Sequence, residues 1–154
     1  MKMELPKRRQ LRLNGYDYST ANYYYVTICT HNKARLFRNG SFSLTQYGEI
    51  AEKELLRVSE RFLEVQIDKY AVIPNHIHAV IVINAEPAKQ PPALGTIIGL
   101  YKSGVSKQIH VVSPDLDVWQ RSYYDHIIRG ERDYLDIWRY IDENPTKWIS
   151  DEYY

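Results

Sequence analysis

Apolar side chains recur with two distinct periods along the chain and divide it into strands and helices. Runs of β-branched and aromatic residues, which are typical of strands, occur in four stretches: residues 22–30, 64–74, 75–84 and a segment beginning near Ser122. Apolar stripes with a period of 3.6 residues predict three helices, at about Leu44–Phe62, Leu94–Ile109 and Glu131–Glu143. In chain order the elements therefore read β-α-β-β-α-β-α.

The first six elements follow the order of a ferredoxin-like fold, an α+β fold in which helices cover one face of an antiparallel sheet. The short Pro74–Asn75 link between the second and third strands predicts an antiparallel hairpin. The opposite face of the sheet is then expected either to be covered by another element or to serve a function. A chain of 154 residues is long enough for one domain with a substantial core, so we expect residues 1–154 to form a single domain.

Local signals predict where the elements begin and end. Asn39-Gly40 predicts a tight turn, and Ser43 with Gln46 predicts a capping box at the start of the first helix. Pro145 is expected to end the last helix. The proline-rich segment 85–93 is too short to separate two domains and is interpreted as a hinge or spacer.

Charge and cysteine content restrict the functional classes. Lysine and arginine total 20 against 19 acidic residues, so any surface for nucleic acid must be local rather than global. Residues 1–15 form a basic arm that either binds phosphates or is a solvated tail. Cys29 is the single cysteine, which excludes an intrachain disulfide and favours a cytoplasmic protein. We expect no membrane span, because no apolar run approaches the required roughly 20 residues, and no signal peptide, because no apolar segment follows the charged N-terminus.

The segment "PNHIHAVIVI" places two histidines one residue apart at the start of a predicted strand. Strand side chains alternate, so His76 and His78 share one face and lie about 7 Å apart along the strand. Such a pair can bind one metal ion, contact one phosphate, or lie as ordinary polar residues on a solvated face. A metal site would need a third ligand. Three further histidines are isolated and are interpreted as surface or structural residues: His31, His110 and His126.

The last helix carries a second group of candidate residues. Its apolar stripe consists of Tyr134, Ile137, Trp138 and Ile141. Tyr140 lies roughly 110° from the centre of that stripe, so it is not a natural core position. Asn144 lies four residues on and shares that flank. A phenol can act as a nucleophile and an amide oxygen can bind a divalent cation. The alternative is a half-exposed tyrosine beside a helix-ending asparagine, in a chain with 14 tyrosines.

Four segments resemble, in the same order, the motifs of the single-tyrosine HUH transposases. They are "YYYVTICTHNKARLF", "YAVIPNHIHAVIVI", "LGTIIGLYKSGVSKQI" and "WQRSYYDHIIRGERDYLDIWRYIDENPTKW". The resemblance extends from about residue 10 to Trp148. The Asn144-Pro145 ending is more similar to the branch associated with repetitive extragenic palindromes (REP) than to the insertion-sequence branch.

The resemblance implies a role for each matching residue. His76 and His78 match the paired histidines that bind a divalent ion, Tyr140 matches the nucleophile, and Asn144 matches the residue that completes the metal site. The implied ion is Mg²⁺ or Mn²⁺, although two imidazoles alone would have favoured Zn²⁺. The implied reaction cuts and rejoins hairpin-containing single-stranded DNA through a 5′-phosphotyrosine. Family members include monomers and homodimers that exchange the tyrosine helix, so the oligomeric state stays open.

Under this interpretation basic side chains contact the DNA phosphates. The candidates are Arg8, Arg9, Lys102, Lys107 and Arg121. Two other functions stay open. One is a domesticated module that binds hairpin nucleic acid without cutting it, against which the presence of both histidines and Tyr140 argues. The other is a metal-dependent hydrolase of small phosphodiesters, which is disfavoured because such enzymes often use two histidine motifs and only one is visible.

Overall fold

A four-stranded antiparallel sheet with helices on both of its faces forms the centre of the fold. The computed structural model describes residues 21–39, 43–84 and 91–147. Its strands are β1 (Ala21–Cys29), β2 (Arg38–Asn39), β3 (Ser43–Leu44), β4 (Val65–Ile73), β5 (His76–Asn84) and β6 (Tyr124–Ile128). Its helices are α1 (Gln46–Leu56), α2 (Val58–Arg61), α3 (Leu94–Val112) and α4 (Glu131–Lys147). Apart from the small β2–β3 pair and the division of the first helix into α1 and α2, the predicted order is confirmed.

The main sheet has the strand order β4-β5-β1-β6, and every neighbouring pair is antiparallel. This is the ferredoxin-like arrangement, so the predicted fold class is confirmed. The predicted hairpin is confirmed too, because Ile73 pairs with His76 across the Pro74–Asn75 link. The two central strands are β5 and β1, and His76 lies opposite Cys29 at their shared end.

The alternation of side chains along β5 divides the apolar core into two clusters. Ile77, Ala79 and Ile81 face α1 and α3 in the larger cluster. Val80 and Val82 point to the other face, where they pack in a smaller cluster that includes residues of α4. The sheet face opposite α1 and α3 is therefore covered in part by α4, which is the face that carries the paired histidines.

The start of the first helix differs from the prediction. Ser43 does not cap it, because Ser43 and Leu44 form β3 and pair with β2. Thr45 is the N-cap instead, and its hydroxyl accepts a hydrogen bond from the Gly48 N–H at 3.0 Å. The helix also breaks at Arg57 before the short α2, rather than continuing to Phe62. The Asn39-Gly40 turn lies partly outside the described residues, since Gly40 is not among them.

Pro145 does not end the last helix, which continues to Lys147. A proline inside a helix removes one hydrogen bond and its ring crowds the preceding turn, yet α4 continues past it. Asn144 therefore lies inside the helix rather than at its end. Two other boundaries shift by a few residues: α3 extends to Val112, and β6 begins at Tyr124. Most of the proline-rich segment 85–93 lies outside the described residues.

The longest described helix, α3, has 19 residues and two different sides. Ile97 and Tyr101 are buried against the sheet, whereas Gly99 and Lys107 are exposed. Over the ranges that the structure describes, no helix combines the length and apolarity needed to cross a membrane.

Two helical glycines provide a matched test of this packing. A methyl group at Gly48 would overlap the carbonyl oxygen of Phe37, whereas one at Gly99 would meet no atom within 4 Å. We expect Gly48→Ala to lower the free energy of unfolding by about 1–3 kcal/mol because it overpacks the core. Gly99→Ala should raise it by about 0.5–1 kcal/mol, because alanine favours a helix interior. Urea unfolding measures both, and equal effects of the two changes would contradict the packing at Gly48.

Candidate active site

The two histidines of β5 lie side by side on the sheet face that α4 partly covers. Both are fully buried, and their ring centroids are 4.7 Å apart with the planes at 75°. Across the sheet, His78 lies beside Ala71 of β4 and Thr27 of β1, and Thr27 in turn lies beside Tyr124 of β6. Directly opposed residues share one face, so these four side chains form a row.

Three side chains hold the Nδ1 atoms of the two rings. The Asn75 Oδ1 lies 2.7 Å from Nδ1 of His76. The hydroxyls of Tyr25 and Thr27 each lie 3.0 Å from Nδ1 of His78. With Nδ1 occupied in both rings, Nε2 is the nitrogen that each can offer to a cation.

The sequence interpretation missed Tyr25, Thr27 and Asn75. Tyr25 and Thr27 lie two residues apart in β1 and therefore share a face, which the strand period could have indicated. Their position beside His78, however, depends on how β1 pairs with β5, and strand pairing is not visible in one strand's own sequence. Asn75 directly precedes His76, and its side chain could have been considered as a local hydrogen-bond partner.

Tyr140 of α4 reaches the histidines of the same chain. Its ring centroid lies 5.5 Å from that of His78, with the planes at 63°. The side chain is 39% exposed, so a substrate can approach it. The helical period had already placed Tyr140 away from the apolar stripe, and this position leaves it at the border between the packed helix and solvent.

Several contacts hold α4 across the sheet. Tyr134 packs edge-on against Tyr23 with ring centroids 5.8 Å apart, and its hydroxyl donates to Asp68 at 2.5 Å. Nearer to Tyr140, the Lys69 ammonium donates to Asp142 at 2.7 Å and lies 3.9 Å from the centre of the Trp138 ring. These polar contacts and the buried Ile141 fix the register of the helix on β4.

Asn144 lies one helical turn beyond Tyr140 and is 3% exposed. Its Oδ1 has no hydrogen-bond partner among the described residues. A buried carbonyl oxygen without a partner carries a desolvation cost of about 1–3 kcal/mol. Such an atom is therefore suited to a ligand that provides positive charge.

The donor set fits a weakly held divalent cation. Imidazole nitrogens and an amide oxygen are donors that such a cation accepts, and phosphate oxygens of a substrate could complete the coordination. Within the described ranges no group of three or more His, Cys, Asp or Glu side chains could hold a metal ion. A third protein ligand would therefore have to be of another type, and the amide of Asn144 is a side chain of such a type.

Lys102 has a local structural role. Its ammonium donates to the carbonyls of Gln120 and Ser122, each at 2.8 Å, and burial lowers the pKa of its amine below the ordinary value. The Gln120 N–H donates to the carbonyl of Cys29, which pairs with His76. Lys102 therefore stabilises a loop at the histidine end of the sheet.

The structure does not bring the other predicted DNA contacts together. Arg121 is exposed in the same loop, at the histidine end of the sheet. Lys107 is exposed on α3, which covers the opposite face. Arg8 and Arg9 lie outside the described residues.

The three isolated histidines have local partners, as expected for surface or structural residues. His31 lies 3.8 Å from Asp117, and Nε2 of His110 is 2.7 Å from the Leu116 carbonyl. His126 pairs with Asp133 at 2.7 Å and links β6 to the first turn of α4.

Comparison with known proteins gives one sequence relative and several structural neighbours. No family model matches the chain. A REP-associated tyrosine transposase, in a structure with a bound REP hairpin, superposes with a TM-score of 0.58 at 18% identity, over 94% of this chain and 74% of that one. A candidate transposase from Deinococcus radiodurans superposes with a TM-score of 0.55 at 15% identity, over 87% of this chain and 97% of that one. At these identities the two structures show that the fold is shared.

The sequence relative is an uncharacterised protein from Haemophilus influenzae. It is 35% identical over 167 aligned positions, which cover 96% of this chain and 93% of the relative. With such identity over nearly the full length of both proteins, the chain belongs to the same family as this Haemophilus influenzae protein.

Proposed function

We propose that the protein is a DNA transposase that cuts and rejoins hairpin-containing single-stranded DNA. Tyr140 is the nucleophile, and His76, His78 and Asn144 bind Mg²⁺ or Mn²⁺. The fold shared with a tyrosine transposase that was solved with a REP hairpin supports this proposal, as do the four sequence motifs. A DNA substrate is consistent with action in the cytoplasm.

One observation carries the proposal: a phenol and two imidazoles, which lie some 64 residues apart in the sequence, meet on one sheet face. The ring of Tyr140 lies 5.5 Å from His78, and Asn144 follows on the next turn of the same helix. Packing alone does not explain this group. A sheet face that served only as core would not bury two imidazoles, and the helix that covers it would not bury an amide oxygen that has no hydrogen-bond partner among the described residues.

The reaction is an in-line exchange at phosphorus. The Tyr140 oxygen forms a bond to the scissile phosphorus while the bond to the 3′ oxygen breaks. The phenolic proton is released, and the departing oxygen gains a proton to become a 3′-hydroxyl. The 5′ phosphate remains joined to Tyr140, so attack by another 3′-hydroxyl reverses the step and rejoins strands without ATP.

His76, His78 and Asn144 would hold the cation through two Nε2 atoms and one Oδ1. When bound, the cation supplies positive charge that polarises the scissile phosphate and offsets charge in the transition state. All three of these protein ligands would be uncharged in that role.

We also propose that Tyr140 acts on DNA bound by its own chain. In the structure α4 packs on β4 of the same chain, through Lys69, Asp142 and Trp138. An exchange of this helix between two subunits is therefore not needed to assemble the site.

The direct test is a covalent-adduct assay. The full chain is incubated with end-labelled single-stranded hairpin DNA and Mn²⁺ or Mg²⁺, and then denatured. We expect a labelled band that denaturation does not remove and that a chelator prevents. Tight binding with no adduct for any hairpin and either ion would instead support a domesticated hairpin-binding module.

Asn144→Ala provides a separate prediction about the cation. Without metal, the free energy of unfolding should not fall by more than about 1 kcal/mol, because Oδ1 has no hydrogen bond to lose among the described residues and its burial itself costs stability. With Mn²⁺, the rise in melting temperature should be smaller than in the wild type, because a weaker ligand set stabilises the fold less. Thermal unfolding with and without Mn²⁺ measures both. An undiminished Mn²⁺-induced rise would exclude Asn144 as a ligand.

A further inference from the structure

The side chain of Asn75 has an unusual environment for a residue in a two-residue hairpin link. It is 2% exposed, and its Oδ1 lies 2.7 Å from Nδ1 of His76. Its backbone carbonyl accepts hydrogen bonds from both the N–H and the hydroxyl of Thr30, each at 3.0 Å. The preceding carbonyl, of Pro74, accepts from the Phe37 N–H. The backbone of the link is thus held by hydrogen bonds at both of its residues, and the side chain of Asn75 is buried beside His76.

A carbonyl oxygen can only accept a hydrogen bond, so the contact requires a proton on Nδ1 of His76. A neutral imidazole carries one proton, and the lone pair then lies on Nε2. We propose that Asn75 is a positioning residue that holds His76 in the Nδ1–H tautomer, with Nε2 presented to the cation. The proposal rests on the cation site proposed above, but the tautomer itself is a property of the metal-free protein.

The contacts of His78 differ from that of His76, because its partners do not restrict the tautomer. Its Nδ1 faces two hydroxyls, those of Tyr25 and Thr27. A hydroxyl can donate or accept, so these partners are compatible with either tautomer of His78. The amide oxygen beside His76 is compatible with only one. Of the two imidazoles, His76 is therefore the one whose protonation pattern is determined before a cation arrives.

The tautomer can be measured directly by long-range ¹H–¹⁵N correlation NMR of the metal-free full chain. The spectra should be recorded on the neutral rings. We expect His76 to show a protonated Nδ1 and an unprotonated Nε2 in the wild type. Asn75→Ala should shift the population toward the Nε2–H form. Asn75→Asp, whose carboxylate also only accepts, should keep the Nδ1–H form.

Calorimetry of Mn²⁺ binding measures how the loss of the Asn75 amide affects the proposed cation site. Losing a group that orients a metal-binding histidine typically costs 10–100-fold in affinity. Asn75→Ala should therefore weaken Mn²⁺ binding by about 10-fold or more, and Asn75→Asp should restore most of it. Asn84→Ala is the matched control, because Asn84 ends the same strand and its amide donates to the Glu64 carbonyl at the long distance of 3.5 Å.

Either measurement can overturn the proposal. A wild-type His76 in the Nε2–H form would mean that the amide of Asn75 donates rather than accepts. If His76 were in the Nε2–H form in the Asn75→Asp variant, this result would contradict the proposal even if Asn75→Ala failed to fold. A wild type that binds no Mn²⁺ would refute the proposed metal-dependent reaction instead, and the NMR result would still decide the tautomer.

Discussion

Tyr140→Phe is expected to abolish the covalent adduct with hairpin DNA while leaving DNA binding in place. Phenylalanine keeps the ring that packs beside His78 but lacks the oxygen that would bond to phosphorus. Losing a nucleophile on which the step depends costs several orders of magnitude, so no adduct should be detectable above the background of the assay. The fold should be maintained, because the side chain is 39% exposed and the change removes one hydroxyl.

Tyr124→Phe is the matched control for this change. Tyr124 is exposed on the same face of the sheet, in the row that contains Thr27 and His78, and it is not on α4. Adduct formation by this variant should match that of the wild type within a few-fold. An adduct that persisted in Tyr140→Phe would exclude Tyr140 as the nucleophile, and mass spectrometry of the linked peptide would then identify the tyrosine that carries the DNA.

Periodicity was sufficient to predict the faces of the strands and helices. Alternation put His76 and His78 on one face of β5, where the structure has both rings within 4.7 Å of each other. The helical period put Tyr140 off the apolar stripe of α4, where it is partly exposed. These features follow from local backbone geometry, so one segment's own sequence contains the information.

Contacts between segments could not be predicted in the same way. The position of Tyr140 beside His78 depends on how α4 crosses the sheet, and that register is set by pairs such as Lys69 with Asp142. These two residues lie 73 positions apart, and each has other charged residues nearby in the sequence. Thr27 was not predicted as a site residue for the same reason. Its hydroxyl contacts His78 because β1 pairs with β5, and that pairing is a contact between segments.

The boundaries of the helices show how tertiary contacts override a local rule. Ser43 and Gln46 have the spacing of a capping box, but pairing of Ser43 with Asn39 removes it from the helix and leaves Thr45 as the cap. Pro145 lies inside α4, although proline is expected to end a helix. Burial of Ile141 and Asn144 on the sheet side accompanies this extra turn. In both places the packing of the segment, rather than its own propensity, decides the result.

Charge was the least informative feature for the site. Lys102 was predicted to contact DNA, and in the structure its ammonium donates to the carbonyls of Gln120 and Ser122; the contact with DNA stays a prediction. Sequence alone does not distinguish a lysine that stabilises a loop from one that binds phosphate, because both require only a flexible cation. Arg121, exposed in the same loop, is the better-placed candidate among the described basic residues that were predicted to bind DNA.

Replacing both histidines, as His76→Ala/His78→Ala, is expected to eliminate Mn²⁺ binding and the covalent adduct together. The change removes two of the three proposed protein ligands and leaves a single amide oxygen, which cannot hold a divalent ion unaided. Because both rings are fully buried, the two cavities will also lower the free energy of unfolding, by several kcal/mol on the scale of large-to-alanine changes. Adduct formation must therefore be measured at a temperature where circular dichroism shows the variant to be folded.

A variant that keeps the volume of the rings separates the loss of ligands from the loss of stability. His76→Leu/His78→Leu keeps side chains of similar volume but offers a cation no donor atom, and we expect it to fold better than the alanine variant while still forming no adduct. His110→Ala is the control for histidine loss in general, because His110 is exposed on α3 and contacts the Leu116 carbonyl. It should retain both Mn²⁺ binding and the adduct. If the folded leucine variant formed the adduct at the wild-type rate, the paired histidines would not be the metal ligands, and the two imidazoles at the start of β5 would need another explanation.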